Sequence, residues 1–236
     1  MSLLLLAGTG EASALADCLA AERAPFAVWL PEGPRLAREW PCCVYRGSLS
    51  ICLAEVAPTA ILDASHPFAA DISHAASSHS AKAGLPYCLL LRPEWRAQPS
   101  DLWTHVTSEA GAVQHIAPGS LVFAASGREG LARFAALQDC YIYCRQIGAP
   151  DAPFPLAHGE WLVQQPPFTV ESEIALFRRL RIDWLVLRNA GSVRAETKLT
   201  AARALGVQVA MIARPVPPDA PRVHTVEAAL AWVAAL

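Results

Sequence analysis

The sequence predicts an α/β protein of two lobes, each carrying a parallel sheet, with a cleft between them. Three observations lead there. Short apolar runs of strand length recur along the 236 residues, Ala-rich helix-favouring stretches separate most of them, and a proline-bounded segment of mixed charge breaks the alternation. Strands that alternate with helices pair in parallel through right-handed crossovers.

The first strand, residues 3–7, leads through glycines into a helical stretch over residues 12–23. Further strands are expected at residues 26–30, 60–62 and 87–91. Residues 92–100 hold two prolines among mixed charges and read as a linker, which sets the lobes at residues 1–96 and 97–236. The second lobe takes strands at residues 121–124, 141–144, 184–187 and 207–212 and a helix at residues 196–205; the proline-rich residues 149–155 read as a loop within it. Near the end, Val226, Ala229, Leu230 and Val233 recur at helical spacing, forming an amphipathic helix that either lobe can receive.

Composition excludes several classes. A chain that is 53% hydrophobic fills one large core or two small ones and is not disordered. A formal net charge of -2 creates no field that gathers nucleic acid or anionic lipid. The opening MSLLLLAGTG lacks the basic region and length of a signal peptide, and no stretch is long and apolar enough to span a bilayer, so the expected location is the cytoplasm. The seven cysteines are odd in number and form no C-x-x-C pair; Cys140 and Cys144 share one face of a strand, and the set reads as reduced core thiols with no metal site.

Two stretches carry chemistry. In LLLLAGTGEASALADCLA a strand passes through Gly8, Thr9 and Gly10 into a helix, the arrangement in which backbone N–H groups at a helix start meet a phosphate. Ser13 replaces the third glycine of the usual pattern, and Glu11 is either a helix cap or a partner for a ribose or amide group. Glu32 would favour NAD, whereas Arg35 and Arg46 would accept the additional phosphate of NADP, and spacing leaves that choice open. In ILDASHPFAADISHAA a buried strand delivers Ser65 and His66 to a turn, because Pro67 disfavours helical backbone at His66 and is suited to begin the next helix. A histidine satisfied within its own loop is the competing reading.

Together these residues resemble a known family. GTGEA at 8–12, DASHPFA at 63–69 with ISHAA at 72–76, GLPYCLLLRPEW at 84–95, and NAG followed by ETKL and AAR within 189–203, before MIARP, are similar to the precorrin-6A reductases of cobalamin biosynthesis. The resemblance covers nearly the whole chain. It implies two Rossmann-like lobes with the active site in the cleft, and reduction of one double bond of precorrin-6A by NADPH to give precorrin-6B. It implies cofactor contacts at Gly8, Thr9, Gly10, Glu11, Ala12, Arg46, Gly47, Asp63, Ser65, His66 and Pro67, with the nicotinamide near His66, the nearest titratable candidate for a catalytic proton. The implied partners are the tetrapyrrole, NADPH and, transiently, neighbouring pathway enzymes.

The second lobe departs from the family pattern. Ala190 loses a hydroxyl, and Lys198 stands one place from the usual lysine. Substrate contacts are expected from Arg188, Asn189, Ala190 and Lys198, and from the Ser126-Gly127-Arg128 loop, which follows its strand as Gly8 follows the first. A flat ring edged with carboxylates calls for an apolar cleft bordered by cations, and Arg92, Arg96, Arg145, Arg194, Arg203 and Arg214 add to that supply. The alternative from another class is a redox sensor that binds NADP(H) without turnover, which has no need of a polyanion site. A short-chain dehydrogenase lacks support, since no tyrosine has a lysine four residues on.

Overall fold

The computed structural model describes residues 2–31 and 38–236; Glu32 and Arg35 lie outside the described residues. The chain divides into two compact units, Met1–Pro93 with Pro215–Leu236, and Glu94–Arg214. The first contributes β1 (Leu3–Ala7), α1 (Gly10–Ala21), β2 (Phe26–Leu30), β3 (Cys43–Arg46), α2 (Leu49–Val56), β4 (Ala60–Ala64), α3 (Ala70–Ala83) and β5 (Tyr87–Leu90). The second follows with β6 (Trp103–Val106), α4 (Glu109–Val113), β7 (Leu121–Ala124), β8 (Tyr141–Gln146), β9 (Gly159–Val163), α5 (Val170–Leu180), β10 (Trp184–Arg188), α6 (Thr197–Leu205) and β11 (Gln208–Ile212). Short 3-10 turns occupy Arg128–Phe134 and Val193–Ala195. The chain then adds β12 (Arg222–Val223) and α7 (Val226–Ala234) to the first unit.

Each unit holds one six-stranded sheet, ordered β12-β5-β4-β1-β2-β3 in the first and β6-β11-β10-β7-β8-β9 in the second. All pairings are parallel. Counted outward from β1 and from β7, the two orders are the same doubly wound arrangement. They differ in the source of the sixth strand: β12 follows everything else in its sheet, whereas β6 precedes everything else in its own.

The central strands are buried on both faces, as helices on both sides of a parallel sheet require. Leu3 and Leu5 of β1 enter a cluster with Leu15, Leu19, Ala229 and Val233 of α1 and α7; Leu4 and Leu6 point to the opposite face, against Leu53 and Ala76 of α2 and α3. The terminal helix, whose lobe the sequence left open, thus packs in the first unit. Its start is capped by the Thr225 hydroxyl, which accepts from the Ala228 N–H.

Two expectations are corrected. The second unit begins at Glu94 and ends at Arg214, so residues 215–225 belong to the first unit rather than to the second lobe. Pro67 does not begin α3, which starts at Ala70; the Ala69 N–H bonds the His66 carbonyl at 2.7 Å, closing a turn with Pro67 at its second position.

Candidate active site

In the first unit the strand order reverses between β1 and β4, and a doubly wound sheet opens its ligand crevice there, beyond the carboxyl ends of the strands. The β1–α1 loop and the β4–α3 turn meet closely. A Cβ on Gly8 would lie 2.7 Å from the His66 backbone nitrogen, so only glycine fits. Thr9 ties the two segments, its hydroxyl donating to the Ala64 carbonyl at 2.9 Å and accepting from the Ala12 N–H at 3.2 Å. A Cβ on Gly10 would meet nothing within 4 Å, which leaves open space at the start of α1. Thr9, Glu11, Ser65 and Pro67 line one depression with Leu90 and Arg92.

Several residues expected to touch the cofactor are held by the protein itself. Asp63 is fully buried; Oδ1 accepts the Ser65 N–H at 2.9 Å and Oδ2 the Tyr87 hydroxyl at 2.8 Å, so this carboxylate shapes the turn from beneath. Burial, and then the charge of Asp63, push the Tyr87 phenol well above its ordinary range. The Ser65 hydroxyl is buried beside that of Ser73 at 3.2 Å. Ala12 is buried with its N–H taken by Thr9. Glu11 receives Arg92 at 2.6 Å, an ion pair that offsets the carboxylate which would otherwise repel a phosphate. His66 accepts the Phe68 N–H on Nδ1 at 3.2 Å, which places the proton of a neutral ring on Nε2. Gly47 gives its carbonyl to the Trp29 indole N–H at 3.2 Å.

Beside the glycine loop lies a hollow of about 360 Å³ lined by Gly8, Thr9, Ser13, Leu30, Arg38, Trp40 and Arg46. Sequence reasoning missed Arg38 and Trp40. Arg38 lies over the Trp40 ring at 4.8 Å, pairs with Asp17, and keeps its Nε buried with no hydrogen-bond partner among the described residues. The signal was the Arg-x-Trp spacing just after the second strand, where a cation stacked on an indole can face an anionic ligand.

In the second unit, the loops after β7 and β10 and the start of α6 carry the expected substrate contacts. The Ser126 hydroxyl is buried with no hydrogen-bond partner among the described residues, and Gly127 takes a φ of +92° at the start of the 3-10 turn. Arg128 pairs with Asp151 at 3.1 Å. Arg188 donates from Nη2 to Glu109 Oε1 at 3.0 Å, and Arg133 reaches Oε2 at 2.6 Å. Burial alone would raise the Glu109 carboxyl, but its own backbone N–H and the two guanidinium groups hold it below the ordinary range. Asn189 clamps the backbone of Trp95, accepting its N–H at 2.9 Å and donating to its carbonyl at 3.1 Å, while buried Ala190 follows it. Lys198 lies 4.0 Å from Glu173, and Arg203 forks onto Asp101 at 2.8 and 3.1 Å, so neither pairs along its own helix with Glu196.

A doubly wound sheet with a glycine loop and a capped helix start at its reversal point defines the first unit as Rossmann-type, and the second repeats the same strand order. No helix among the described residues is long and apolar enough to cross a membrane. The chain belongs to the precorrin-6x reductase CbiJ/CobK family, whose model matches residues 2–234. It is 39% identical over 243 residues to the precorrin-6A reductase of Rhodococcus erythropolis, covering 99% of this chain and 98% of that one. The precorrin-6A reductase of Rhodobacter capsulatus is 36% identical, with 98% of this chain and 95% of that one covered. A solved structure of CobK precorrin-6A reductase superposes with a TM-score of 0.91 at 33% identity, covering 100% of this chain and 96% of the other.

Proposed function

We infer that this protein is a precorrin-6A reductase of cobalamin biosynthesis, which reduces one double bond of the macrocycle to give precorrin-6B with NADPH as the hydride donor. The observation that carries the reading is likeness along the whole chain to reductases of that name, on a fold whose first unit offers a dinucleotide crevice. The residues present fit the cofactor: Gly10 leaves room where a Cβ would stand, and Arg38 and Arg46 bring two guanidinium groups to the hollow beside the glycine loop.

Gly8, Thr9 and Gly10 hold the pyrophosphate, which needs close backbone approach and the positive end of α1. Arg38 and Arg46 receive the 2′-phosphate, and the Trp40 ring supplies an apolar wall for the adenosine. Bound there, NADPH supplies a hydride from its nicotinamide. His66 and Pro67 border the nicotinamide end, the His66 ring being held in place by the Phe68 N–H on Nδ1. The loops around Ser126 and Asn189, with Arg128 and Arg188, meet the carboxylates of the ring, their ion pairs holding the guanidinium groups in fixed orientation.

The test is anaerobic mixing of purified protein and precorrin-6A with NADPH or NADH while both chromophores are followed. NADPH oxidation coupled to a change in the macrocycle spectrum is expected. Arg38→Ala should raise the KM for NADPH about tenfold or more, a loss of about 1.4 kcal/mol, and leave that for NADH unchanged. Equal use of the two cofactors by the wild type would remove the phosphate-binding role, and an unreduced macrocycle would remove the function.

A further inference from the structure

The end of β8 and the two strand-to-helix junctions β9–α5 and β10–α6 meet in one buried cluster at the carboxyl edge of the second unit's sheet. Arg145 is the penultimate residue of β8, Gln164 directly follows β9, Glu173 lies in the first turn of α5, and Lys198 is the second residue of α6. Arg145 sends Nη1 and Nη2 to the two oxygens of Glu173 at 2.6 and 2.8 Å, and Nε to Gln164 at 2.9 Å. Its guanidinium carbon sits 5.0 and 4.0 Å from the ring centroids of Phe123 and Phe168. Glu173 is fully buried. The bidentate pair is therefore neutral in charge without a third ion.

Lys198 is the surplus. Its ammonium stands 4.0 Å from Glu173 Oε1, beyond hydrogen-bond reach, and donates no hydrogen bond among the described residues. The cluster of two cations and one anion carries a net charge of +1. A lysine in the first turn of a helix also faces the positive end of the macrodipole. Burial loosens its hold on the proton; Glu173 opposes this, and the neighbouring Arg145 adds to the loosening by less. The side chain keeps 12% of its surface exposed although Glu173 keeps none. A cation placed where the fold gains so little from it, at the ligand edge of a doubly wound sheet, fits a reactive group better than a structural one.

We propose that Lys198 is the proton donor of the reduction, its ammonium touching the macrocycle bound at the carboxyl edge of the second unit. The inference rests on the reductase reading given above. Reduction adds a hydride to one atom of the double bond, and the electron pair released from that bond takes a proton. A Lys198 N–H bond breaks and a new C–H or N–H bond forms on the ring. The neutral amine left behind regains its proton from water, and Glu173 stabilises the restored ammonium.

The experiment compares wild type, Lys198→Met and Lys198→Arg in single turnover with precorrin-6A and NADPH across pH. Met keeps the stem and leaves the neutral Arg145–Glu173 pair intact; Arg keeps the charge but does not release its proton at these pH values. Both variants should lose about 100-fold or more in rate, the range of a general acid, with the KM for precorrin-6A changed less than about threefold. The charged groups facing the amine are Glu173 from α5 and Arg145 from β8, so a wild-type rate that falls at alkaline pH, and a variant rate that does not, reports Lys198 itself. A Lys198→Met rate within about threefold of wild type overturns the proposal, as does recovery of the rate in Lys198→Arg, which would make the residue a fixed charge. A wild-type rate without an alkaline limb overturns it with no variant at all. Wild type that leaves precorrin-6A unreduced overturns the reductase reading and this inference together, whereas an active wild type with unaffected variants overturns this inference alone.

Discussion

A methyl group at position 8 would sit 2.7 Å from the backbone nitrogen of His66, closer than packed atoms come. Gly8→Ala therefore pushes the glycine loop and the Ser65–His66 turn apart. The expected result is a stability loss of about 1–3 kcal/mol with a disproportionate rise in the KM for NADPH; an unchanged KM would show that the cofactor does not use this junction. Beneath the same turn, Tyr87→Phe leaves Asp63 Oδ2 buried without its donor, which should cost about 1–3 kcal/mol in denaturant unfolding. A melting curve identical to wild type would show the carboxyl finding another partner. These two residues also mark what the sequence could and could not convey. The motif around Asp63 gave its position beside the crevice, but nothing in a string of letters tells whether a carboxylate faces the ligand or the core. Tyr87, 24 positions away and read as an ordinary strand residue, decides that. Arg38 went unread for a similar reason, since its value comes from Trp40 and from a hollow assembled by β1 and β2.

At the scale of elements, Glu109 joins three pieces of the second unit: it belongs to α4, and its partners Arg133 and Arg188 belong to a 3-10 turn and to β10. The carboxyl titrates below its ordinary value of 4.5 in the folded chain, so folding gains from the ionised form. That gain is complete above about pH 4.5 and drains away as pH falls through the lowered value. Unfolding monitored between about pH 3 and 7 should show wild type losing its advantage over Glu109→Gln towards the acid end; a constant difference would locate the acid sensitivity elsewhere. Legibility among the strands followed their place in the sheets. The eight strands expected from apolar runs are the interior ones, and the four that went unread, β3, β6, β9 and β12, are the four edges. Interior strands of a parallel sheet are covered on both faces and so spell continuous apolar runs. Edge strands are half covered: the residues of β3 are mostly exposed, and β6, Trp-Thr-His-Val, holds strand-favouring residues but forms no continuous apolar run, only Val106 being buried.

For the whole molecule, the identical order of the two sheets explains why the sequence showed two lobes yet misjudged where the second ends. Residues 215–225 carry four prolines and no apolar run, so nothing local ties them to β5, although the Leu91 N–H bonds the Val223 carbonyl at 2.9 Å and the Leu89 N–H that of Pro221 at 2.9 Å. Truncation after Arg214 removes β12 and α7, and with them Ala229 and Val233 from the cluster around Leu3 and Leu15. The truncated chain should bind apolar dyes and lose NADPH binding; retention of NADPH affinity would show the first sheet standing without its sixth strand. The same arrangement bears on how the protein is made. During synthesis the first five strands of the first sheet leave the ribosome early, with the flank of β5 lacking its neighbour. The second sheet has all six strands once Ile212 has emerged, whereas the first waits for Val223. The unit translated first is thus the last to close, and through that interval its apolar edge is open to wrong partners. A stalled or prematurely ended chain would carry a finished second unit and an unfinished first, a ready substrate for chaperones and proteases.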